Sequence, residues 1–293
     1  MGDKIFVQIP AYRDRELAAT LTDLYATASS DSHLRVSVLW QRGARETLPR
    51  SVRRLKNLEI QAVPAKDSLG PNWARRIMQD SYQGETYTLF LDSHHRFVRN
   101  WDVKALTMFN QLLATVSKPI LTAYLPSYDP AIDPRGRMRE LLKIYPFKRT
   151  DGLLTHLTGR PLPYRSWLKK PIPAGFVSLH FLFAAGSFNR EIRFDPGIYF
   201  FGDEVLTGFR AFTLGYDLYH PHKVLGWHLY DRSSRITHWA DHDGWAEAEA
   251  KSFQKLRQIY EGRGTRESRG RKATVTRGVA EYETLIGTKL IEI

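Results

Sequence analysis

The tripeptide Asp92-Ser93-His94 places a carboxylate and an imidazole two residues apart, directly after the apolar segment from Tyr87 to Leu91. That segment has β-favouring residues and no helical spacing, so we predict a buried strand. Ligands bind at the carboxyl ends of strands in open α/β sheets. A carboxylate and an imidazole there can hold Mn²⁺ or Mg²⁺, with a phosphate and another side chain completing the shell. The alternative is a turn or capping role for Asp92.

A second group of histidines, His220, His222 and His228, can supply the additional ligand. His228 is the preferred candidate because Trp227-His228 ends a short apolar segment, while His220 and His222 stay open as alternatives. Each of the three can instead be a hydrogen-bonded core or surface residue. The chain has no cysteine, which excludes disulfides and thiolate sites, so a metal must be held by carboxylates and imidazoles.

Two further charged groups begin predicted helices. Asp203 and Glu204 follow Gly202 and are candidate catalytic residues that can hold sugar or acceptor hydroxyls, or they only complement the helix dipole. Arg75 and Arg76, together with Lys66, flank the start of an earlier helix, where cations suit a diphosphate. A solvated helix face is the alternative for these cations.

The elements that must position these residues alternate between strand and helix patterns. Asp14 stands where an N-cap would for the first helix, Pro10 is expected to end the first strand, and Trp73, Ile77 and Met78 are expected to face inward. We predict an α/β fold with a mainly parallel central sheet flanked by helices. Predicted strands cover 5–9, 35–40, 58–63, 87–91, 120–125 and 176–184, and predicted helices cover 15–28, 101–116 and 244–260, with others starting at Pro71 and near Asp203.

Composition and charge bound the function class. The 293 residues are 42% hydrophobic and 25% charged, as in ordinary globular proteins. The sequence contains no run of about 18 apolar residues, so we predict no transmembrane helix. With no signal peptide expected, a cytoplasmic location follows by default. The net charge of +12 includes +5 between Gly262 and Gly278, which is predicted to be a basic loop. Residues 126–175 hold eight of the fifteen prolines and are predicted to form a lid or substrate loop.

The order of several motifs resembles the GlcNAc-type glycosyltransferases, a family that includes cytosolic enzymes attaching N-acetylglucosamine to hydroxyproline. The similarity spans nearly the whole chain, and the polypeptide N-acetylgalactosaminyltransferases look like more distant relatives. The motifs that carry the resemblance are Phe6 to Asp14, Gly70 to Arg75, Asp92 to Asp102, Ala184 to Phe188, Phe201 to Glu204, Gly215 to His222, Trp227-His228 and Ala280 to Glu283.

The resemblance implies a GT-A (Rossmann-like) fold, a UDP-sugar donor with UDP-GlcNAc first, and retention of the anomeric configuration. It implies that Mn²⁺ or Mg²⁺ is held by Asp92 and His94, and the N-acetylgalactosaminyltransferases add His228. By the same carry-over, the donor nucleotide would be lined by Ala11, Tyr12, Arg13, Arg75, Asp92 and Ser93.

The resulting hypothesis is a metal-dependent retaining glycosyltransferase that moves GlcNAc or a related sugar to the hydroxyl of a protein, saccharide or small molecule. It would have one catalytic domain, residues 1–261, with a nucleotide-sugar half (1–125), an acceptor-side excursion (126–175) and an acceptor and metal half (176–261), followed by a basic loop and tail (262–293). A homo-oligomer is possible and no nucleic acid is expected. The alternatives are a nucleic-acid-binding protein that uses the Gly/Arg segment and a nucleotide-sugar phosphohydrolase or nucleotidyltransferase.

Overall fold

The computed structural model describes residues 4–162, 167–233, 235–263 and 275–292. Its strands are β1 (Ile5–Tyr12), β2 (Leu34–Arg42), β3 (Leu58–Pro64), β4 (Tyr87–Leu91), β5 (His95–Phe97), β6 (Pro119–Thr122), β7 (Leu142–Thr150), β8 (Leu153–Pro161), β9 (Ile172–Pro173), β10 (Phe181–Ala185), β11 (Asp217–His220) and β12 (Gly226–His228). Its helices are α1 (Leu17–Thr27), α2 (Arg50–Arg53), α3 (Pro71–Asp80), α4 (Trp101–Leu113), α5 (Phe188–Glu191), α6 (Asp203–Thr213), α7 (His238–Asp241), α8 (Trp245–Tyr260) and α9 (Val279–Ile286).

The central sheet has the strand order β3-β2-β1-β4-β10-β6-β11-β9 within the described residues. Strands β3, β2, β1 and β4 are parallel to one another, and β6 is parallel to β11. Strand β10 runs antiparallel to both of its neighbours, and β9 runs antiparallel to β11. The prediction of an α/β fold with a mostly parallel sheet is therefore confirmed.

The chain leaves β1 on one side towards β2 and β3 and then returns to add β4 on the other side of β1. The carboxyl ends of β1 and β4 therefore flank a topological switch point, where open α/β sheets form a ligand crevice. The core beneath this edge contains Val7 and Ile9 of β1, Leu89 and Leu91 of β4, and the fully buried Trp101 that begins α4. These apolar contacts hold the two strand ends in place.

Two small sheets complete the architecture. Strand β5 pairs with β12 antiparallel, and His95 lies opposite His228. Strands β7 and β8 form an antiparallel hairpin with a bulge near Lys148. This hairpin lies within the segment predicted to be a lid or loop, so the segment has regular structure that its proline content did not indicate. No helix among the described residues is both long and apolar enough to cross a membrane.

Several predicted boundaries are wrong. Pro10 lies inside β1 opposite Leu39 and does not end the strand. Strand β4 pairs with β1 only as far as Gln8. No hydrogen bond to β4 is therefore needed at Pro10, where the backbone N–H is missing. The strand predicted at 176–184 begins only at Phe181, since Leu179 donates its backbone N–H to the Glu204 carboxylate.

The inward face of α3 is also more polar than predicted. Met78 is buried as expected, and Trp73 and Ile77 are partly buried and pack against the cluster of Leu39, Ala74 and Met78. The buried polar residues are Asn72, Arg75 and Gln79. Asn72 donates to the carbonyl of Ile198 and Gln79 donates to that of Ile192, which accounts for their burial.

Candidate active site

A cavity of about 410 Å³ opens at the carboxyl ends of β1 and β4. Its volume lies in the range of small-molecule sites. Predicted site residues from five separate parts of the chain line it, namely Tyr12, Arg75, Asp92, Ser93, His94, Asp203, Glu204 and His228. The tertiary structure therefore brings most of the predicted residues to one place.

Asp92, His94 and His228 converge on one point of this cavity. One ligand atom from each of the three lies within 4.8 Å of the other two. The Nε2 atom of His228 is 3.3 Å from a carboxylate oxygen of Asp92, and the Nε2 atom of His94 is 3.8 Å from the same oxygen. The pairing of β5 with β12 produces this convergence, because it sets His228 opposite the residue that follows His94.

Asp14 orients His94. The Nδ1 atom of His94 lies 2.6 Å from a carboxylate oxygen of Asp14, which also accepts a 2.6 Å hydrogen bond from the Ser93 hydroxyl. An Nδ1 proton donated to Asp14 leaves the lone pair of His94 on Nε2, the atom that faces Asp92. Burial alone would raise the pKa of Asp14, but these hydrogen bonds lower it below its ordinary value.

Asp14 is thus a site residue and not the N-cap that the sequence suggested. The N-cap position of α1 is Glu16, and one carboxylate oxygen of Asp14 accepts a hydrogen bond from the backbone N–H of Glu16. A short polar residue before an amphipathic helix has the same local pattern in both roles. The sequence alone offers no signal that separates them.

The protonation states of Asp92 and His228 suit a cation. Desolvation would raise the pKa of Asp92, but His228, His94 and Arg75 hold it well below its ordinary value, so the carboxylate is ionised. Burial lowers the pKa of His228 well below its ordinary value, so its imidazole is neutral. One carboxylate with two imidazoles is a donor set that fits Mn²⁺ and other divalent ions.

The ring of His228 is held by stacking. The His180 ring stacks on it with centroids 4.1 Å apart and an interplanar angle of 17°. The Nε2 atom of His180 accepts a hydrogen bond from the backbone N–H of Leu125, so its proton lies on Nδ1, which donates to Ser178. His180 is therefore fixed on both sides and supports the orientation of His228. In the sequence, His180 lies within the predicted strand 176–184 and has no motif that marks it as a site residue.

The alternative ligands do not reach the cavity. The Nε2 atom of His220 accepts from the backbone N–H of Ile144 and its Nδ1 donates to the carbonyl of Thr122. Both nitrogens of His220 thus form hydrogen bonds that link β11 to β7 and β6. Neither His220 nor His222 lines the cavity.

Asp203 and Arg75 form a buried ion pair at the wall of the cavity. The guanidinium of Arg75 is 2.9 Å from Asp203 and 3.8 Å from Asp92. Gly202 positions Asp203, since its φ of +86° suits glycine and a Cβ there would lie 2.6 Å from a methyl group of Leu256. Burial raises the pKa of Asp203, and Arg75 opposes that rise.

Glu204 accepts three hydrogen bonds inside the protein. The donors are the Tyr124 hydroxyl at 2.8 Å, the Ser178 hydroxyl at 3.0 Å and the Leu179 backbone N–H at 2.8 Å. Burial, with the negative charge of Asp203 next, raises the pKa of Glu204 to about 7. The Ser178 hydroxyl also accepts a hydrogen bond from Nδ1 of His180. A chain of hydrogen bonds therefore joins His180, which stacks on His228, to Glu204.

Two of the residues predicted to line the nucleotide, Tyr12 and Arg13, contact α7. Asp241 accepts a 2.7 Å hydrogen bond from the Tyr12 hydroxyl and a 2.6 Å contact from the guanidinium of Arg13. The methyl group of Ala11, in contrast, packs in the main hydrophobic core and does not line the cavity. Strand alternation explains the difference, because Ala11 points to the face opposite that of Tyr12.

Arg235 also enters the site, from the segment that leads to α7. Its guanidinium lies 2.5 Å from Nε2 of His94 and 3.3 Å from the carbonyl of Leu229. Arg232 lies over the rings of Phe200 and Trp239 at the same side of the cavity. Neither arginine was predicted, since both stand in a polar stretch without a recognisable motif.

Comparison with known proteins assigns the chain to a class. The model of the family described as Glycosyltransferase (GlcNAc) matches residues 4–59 and 42–284. No curated protein matches the chain in sequence at a significant level.

Solved structures with a similar fold include S. aureus TarS 1-349 in complex with UDP-GlcNAc, at 13% identity and a TM-score of 0.59, covering 97% of this chain and 70% of that one. GalNAc-T7 with UDP, GalNAc and Mn²⁺ is similar at 12% identity and a TM-score of 0.59, covering 98% of this chain and 55% of that one. At these identities, the likeness describes the fold.

Proposed function

The chain belongs to the Glycosyltransferase (GlcNAc) family and has a GT-A fold, and on this premise we propose that it transfers N-acetylglucosamine from UDP-GlcNAc to an acceptor hydroxyl. The convergence of Asp92, His94 and His228 in the cavity carries the proposal. Binding of UDP-GlcNAc by TarS and of UDP with Mn²⁺ by GalNAc-T7 supports the choice of donor and of metal.

We propose that Asp92, His94 and His228 hold Mn²⁺ or Mg²⁺. When bound, such an ion neutralises the donor diphosphate and stabilises it as a leaving group. Asp14 keeps His94 in the tautomer that a metal ligand needs. Arg75, which lies between Asp92 and Asp203, adds a fixed positive charge on the diphosphate side.

Tyr12, Arg13 and Ser93 are proposed to lie along the nucleotide. Tyr12 and Ser93 line the cavity, and Arg13 is held beside Tyr12 through their shared partner Asp241. Ala11 contributes only its backbone in this proposal, because its side chain is in the core.

Asp203 and Glu204 are proposed to position the sugar and the acceptor without acting as the base. Asp203 is paired with Arg75, and Glu204 already accepts three hydrogen bonds. The absence of a free carboxylate in this pair supports retention of configuration. The acceptor oxygen bonds to the anomeric carbon on the face from which the diphosphate departs, the bond from carbon to phosphate oxygen breaks, and the departing phosphate takes the hydroxyl proton.

The test is release of UDP from UDP-GlcNAc with Mn²⁺, with and without EDTA. We expect release that stops with EDTA and falls at least a hundredfold in Asp92→Asn, since the variant removes the anionic ligand. Metal-dependent release that persists in Asp92→Asn contradicts the metal assignment. Parallel assays with UDP-GalNAc and UDP-Glc identify the sugar, and the proton coupling constant of the anomeric centre in the product tests retention.

The alternatives give different products. A phosphohydrolase or nucleotidyltransferase would release UMP or a sugar phosphate in the same assay, and free UDP argues against both. A nucleic-acid-binding protein that uses the Gly/Arg segment would bind DNA or RNA with a steep dependence on salt. Four of the six basic residues of that segment lie outside the described residues.

We propose further that residues 1–125 form the nucleotide-sugar half and residues 176–261 the acceptor and metal half of one catalytic domain, with 126–175 on the acceptor side. Three residues of β8 that line the cavity, Thr155, His156 and Leu157, support the last point. A cytoplasmic location and a homo-oligomeric state remain proposals, testable by localisation of the tagged protein and by light scattering.

A further inference from the structure

The positive charge of the chain is concentrated in two segments. Residues 126–175 contain ten lysines and arginines against four acids, a net charge of +6 out of +12. The segment between Gly262 and Gly278 adds +5, so these two segments account for nearly the whole net charge. The first contains the β7–β8 hairpin, which reaches the cavity through residues of β8.

The hairpin places two cations directly opposite each other. Lys143 on β7 pairs with Arg160 on β8, so their side chains share one face. Both cations lie over the ring of Tyr145, with the Nζ atom of Lys143 at 5.6 Å and the guanidinium of Arg160 at 5.3 Å from its centroid. Among the described residues, no salt bridge joins Lys143 or Arg160 to a carboxylate, whereas Arg137 pairs with Asp133 and Arg149 with Glu292. Like charges at directly opposed positions destabilise a hairpin. A bound anion would remove this electrostatic repulsion between Lys143 and Arg160.

The same face leads into the cavity. Lys148 lies opposite His156 in the hairpin register, and His156 lines the cavity and stacks on Phe201 with centroids 4.3 Å apart. The pKa of His156 is lowered by burial and then by the positive charges of Lys148 and Arg232, so cations surround the cavity mouth. From His156 to Arg160 the strand spans about 13 Å, which is four residues at about 3.3 Å each.

We propose that this face, formed by Lys143, Tyr145, Lys148 and Arg160, binds the phosphate groups of a phosphate-bearing acceptor chain whose hydroxyl enters the cavity beside His156. The assignment as an acceptor site rests on the proposed function. A phosphate presents oxygens in several directions and can contact two opposed cations together, and the fork of an arginine fits it. The face is fixed by the fold, since Ile144 and Leu154 on the reverse of the hairpin are buried in a hydrophobic cluster.

The experiment measures binding of an inorganic polyphosphate chain to the full-length protein by calorimetry, in EDTA so that metal plays no part. We expect the double variant Lys143→Glu, Arg160→Glu to weaken binding at least tenfold. The matched control is Arg50→Glu, Arg53→Glu on α2, which is exposed and lies next to the opposite end of the sheet. It makes the same change in net charge and is expected to change binding by less than twofold.

Three results overturn the proposal. In the first, the wild-type protein does not bind polyphosphate. In the second, the two double variants lose binding equally. In the third, poly-L-glutamate binds as tightly as polyphosphate. If the glutamate variant does not fold, Lys143→Met, Arg160→Met keeps the aliphatic stems and is expected to raise the melting temperature while losing the polyphosphate. An unchanged affinity in that variant counts against the site equally.

Release of UDP from UDP-GlcNAc by the wild-type protein tests the proposed function separately. Polyphosphate binding that depends on Lys143 and Arg160 in a protein that never releases UDP would preserve the anion site and remove its assignment to an acceptor. UDP release without such binding would preserve the transferase and overturn the phosphate-bearing acceptor. The two proposals therefore fail through different measurements.

Discussion

The Nδ1 nitrogen of His94 and a carboxylate oxygen of Asp14 lie 2.6 Å apart although 80 residues separate them in the chain. Asp14 follows β1 and His94 follows β4, and the parallel pairing of these strands brings the two residues together. The contact determines which nitrogen of His94 faces Asp92 and His228. The contact therefore links the loop between β1 and α1 to the proposed metal site.

Replacement of Asp14 by asparagine is expected to lower Mn²⁺ affinity by about 10- to 100-fold, the range typical for partners of metal-ligating histidines. The amide cannot hold the Nδ1 proton of His94 as an ionised carboxylate does. Ser93→Ala, which removes the other hydrogen bond to Asp14, should have a smaller effect. Calorimetric titration with Mn²⁺ measures both, and equal affinities for wild type and Asp14→Asn would contradict the role of Asp14.

His228→Ala and His220→Ala are expected to affect different properties, the first metal binding and the second folding stability. The first removes a ligand atom and should weaken Mn²⁺ binding at least tenfold. The second leaves the buried partners of His220, the Ile144 N–H and the Thr122 carbonyl, unpaired and should cost about 2 to 4 kcal/mol of unfolding free energy. Urea denaturation and Mn²⁺ titration of both variants check this, and weaker metal binding by His220→Ala alone would reverse the ligand assignment.

Arg235→Ala is expected to bind Mn²⁺ several-fold more tightly than wild type when no donor is present. The guanidinium lies 2.5 Å from Nε2 of His94, so it occupies the nitrogen a metal would use and repels a second cation. A repulsion of about 1 kcal/mol at a high effective dielectric corresponds to this change. Arg232→Ala, at the same side of the cavity, is the control. Weaker Mn²⁺ binding by Arg235→Ala would show that the arginine assists the metal site.

Glu204 predicts a pH dependence of stability. Its pKa in the folded protein is raised to about 7 by burial and by Asp203, from an ordinary value of 4.5. The protonated form is thus favoured by folding, and its contribution is complete below about pH 4.5 and is lost as the pH rises through about 7. The loss is of the order of 3 kcal/mol at about 1.4 kcal/mol per pKa unit.

Glu204→Gln isolates this effect, because glutamine is uncharged and its amide can still accept from Ser178 and Leu179. The unfolding free energy of the variant should rise relative to wild type between pH 5 and pH 8, measured by urea denaturation at both values. The exposed Glu140→Gln is the control and should follow wild type. A difference between Glu204→Gln and wild type that is the same at pH 5 and pH 8 contradicts the raised pKa.

The elements with strong apolar patterns could be predicted from the sequence. Strand β4 has the predicted bounds, and α8 begins one residue after the predicted start, because burial of an apolar face determines both. Predicted boundaries were wrong where the end of an element depends on pairing with a residue distant in the chain. A proline interrupts a strand only where a neighbouring strand needs a backbone N–H at that position. The pairing of β4 with β1 ends at Gln8, before Pro10, and the sequence around Pro10 does not show this.

The sequence by itself determined that a strand ends at Asp92-Ser93-His94 and that any metal ligands are carboxylates and imidazoles, since local pattern and residue type decide both. Only the tertiary structure decided that His228 and not His220 completes the group, that Asp14 orients His94, and that Arg235 enters the site. These contacts join residues 80 to 141 positions apart. Strand register and side-chain packing set such distances, and neither is encoded in the spacing of residues along the chain.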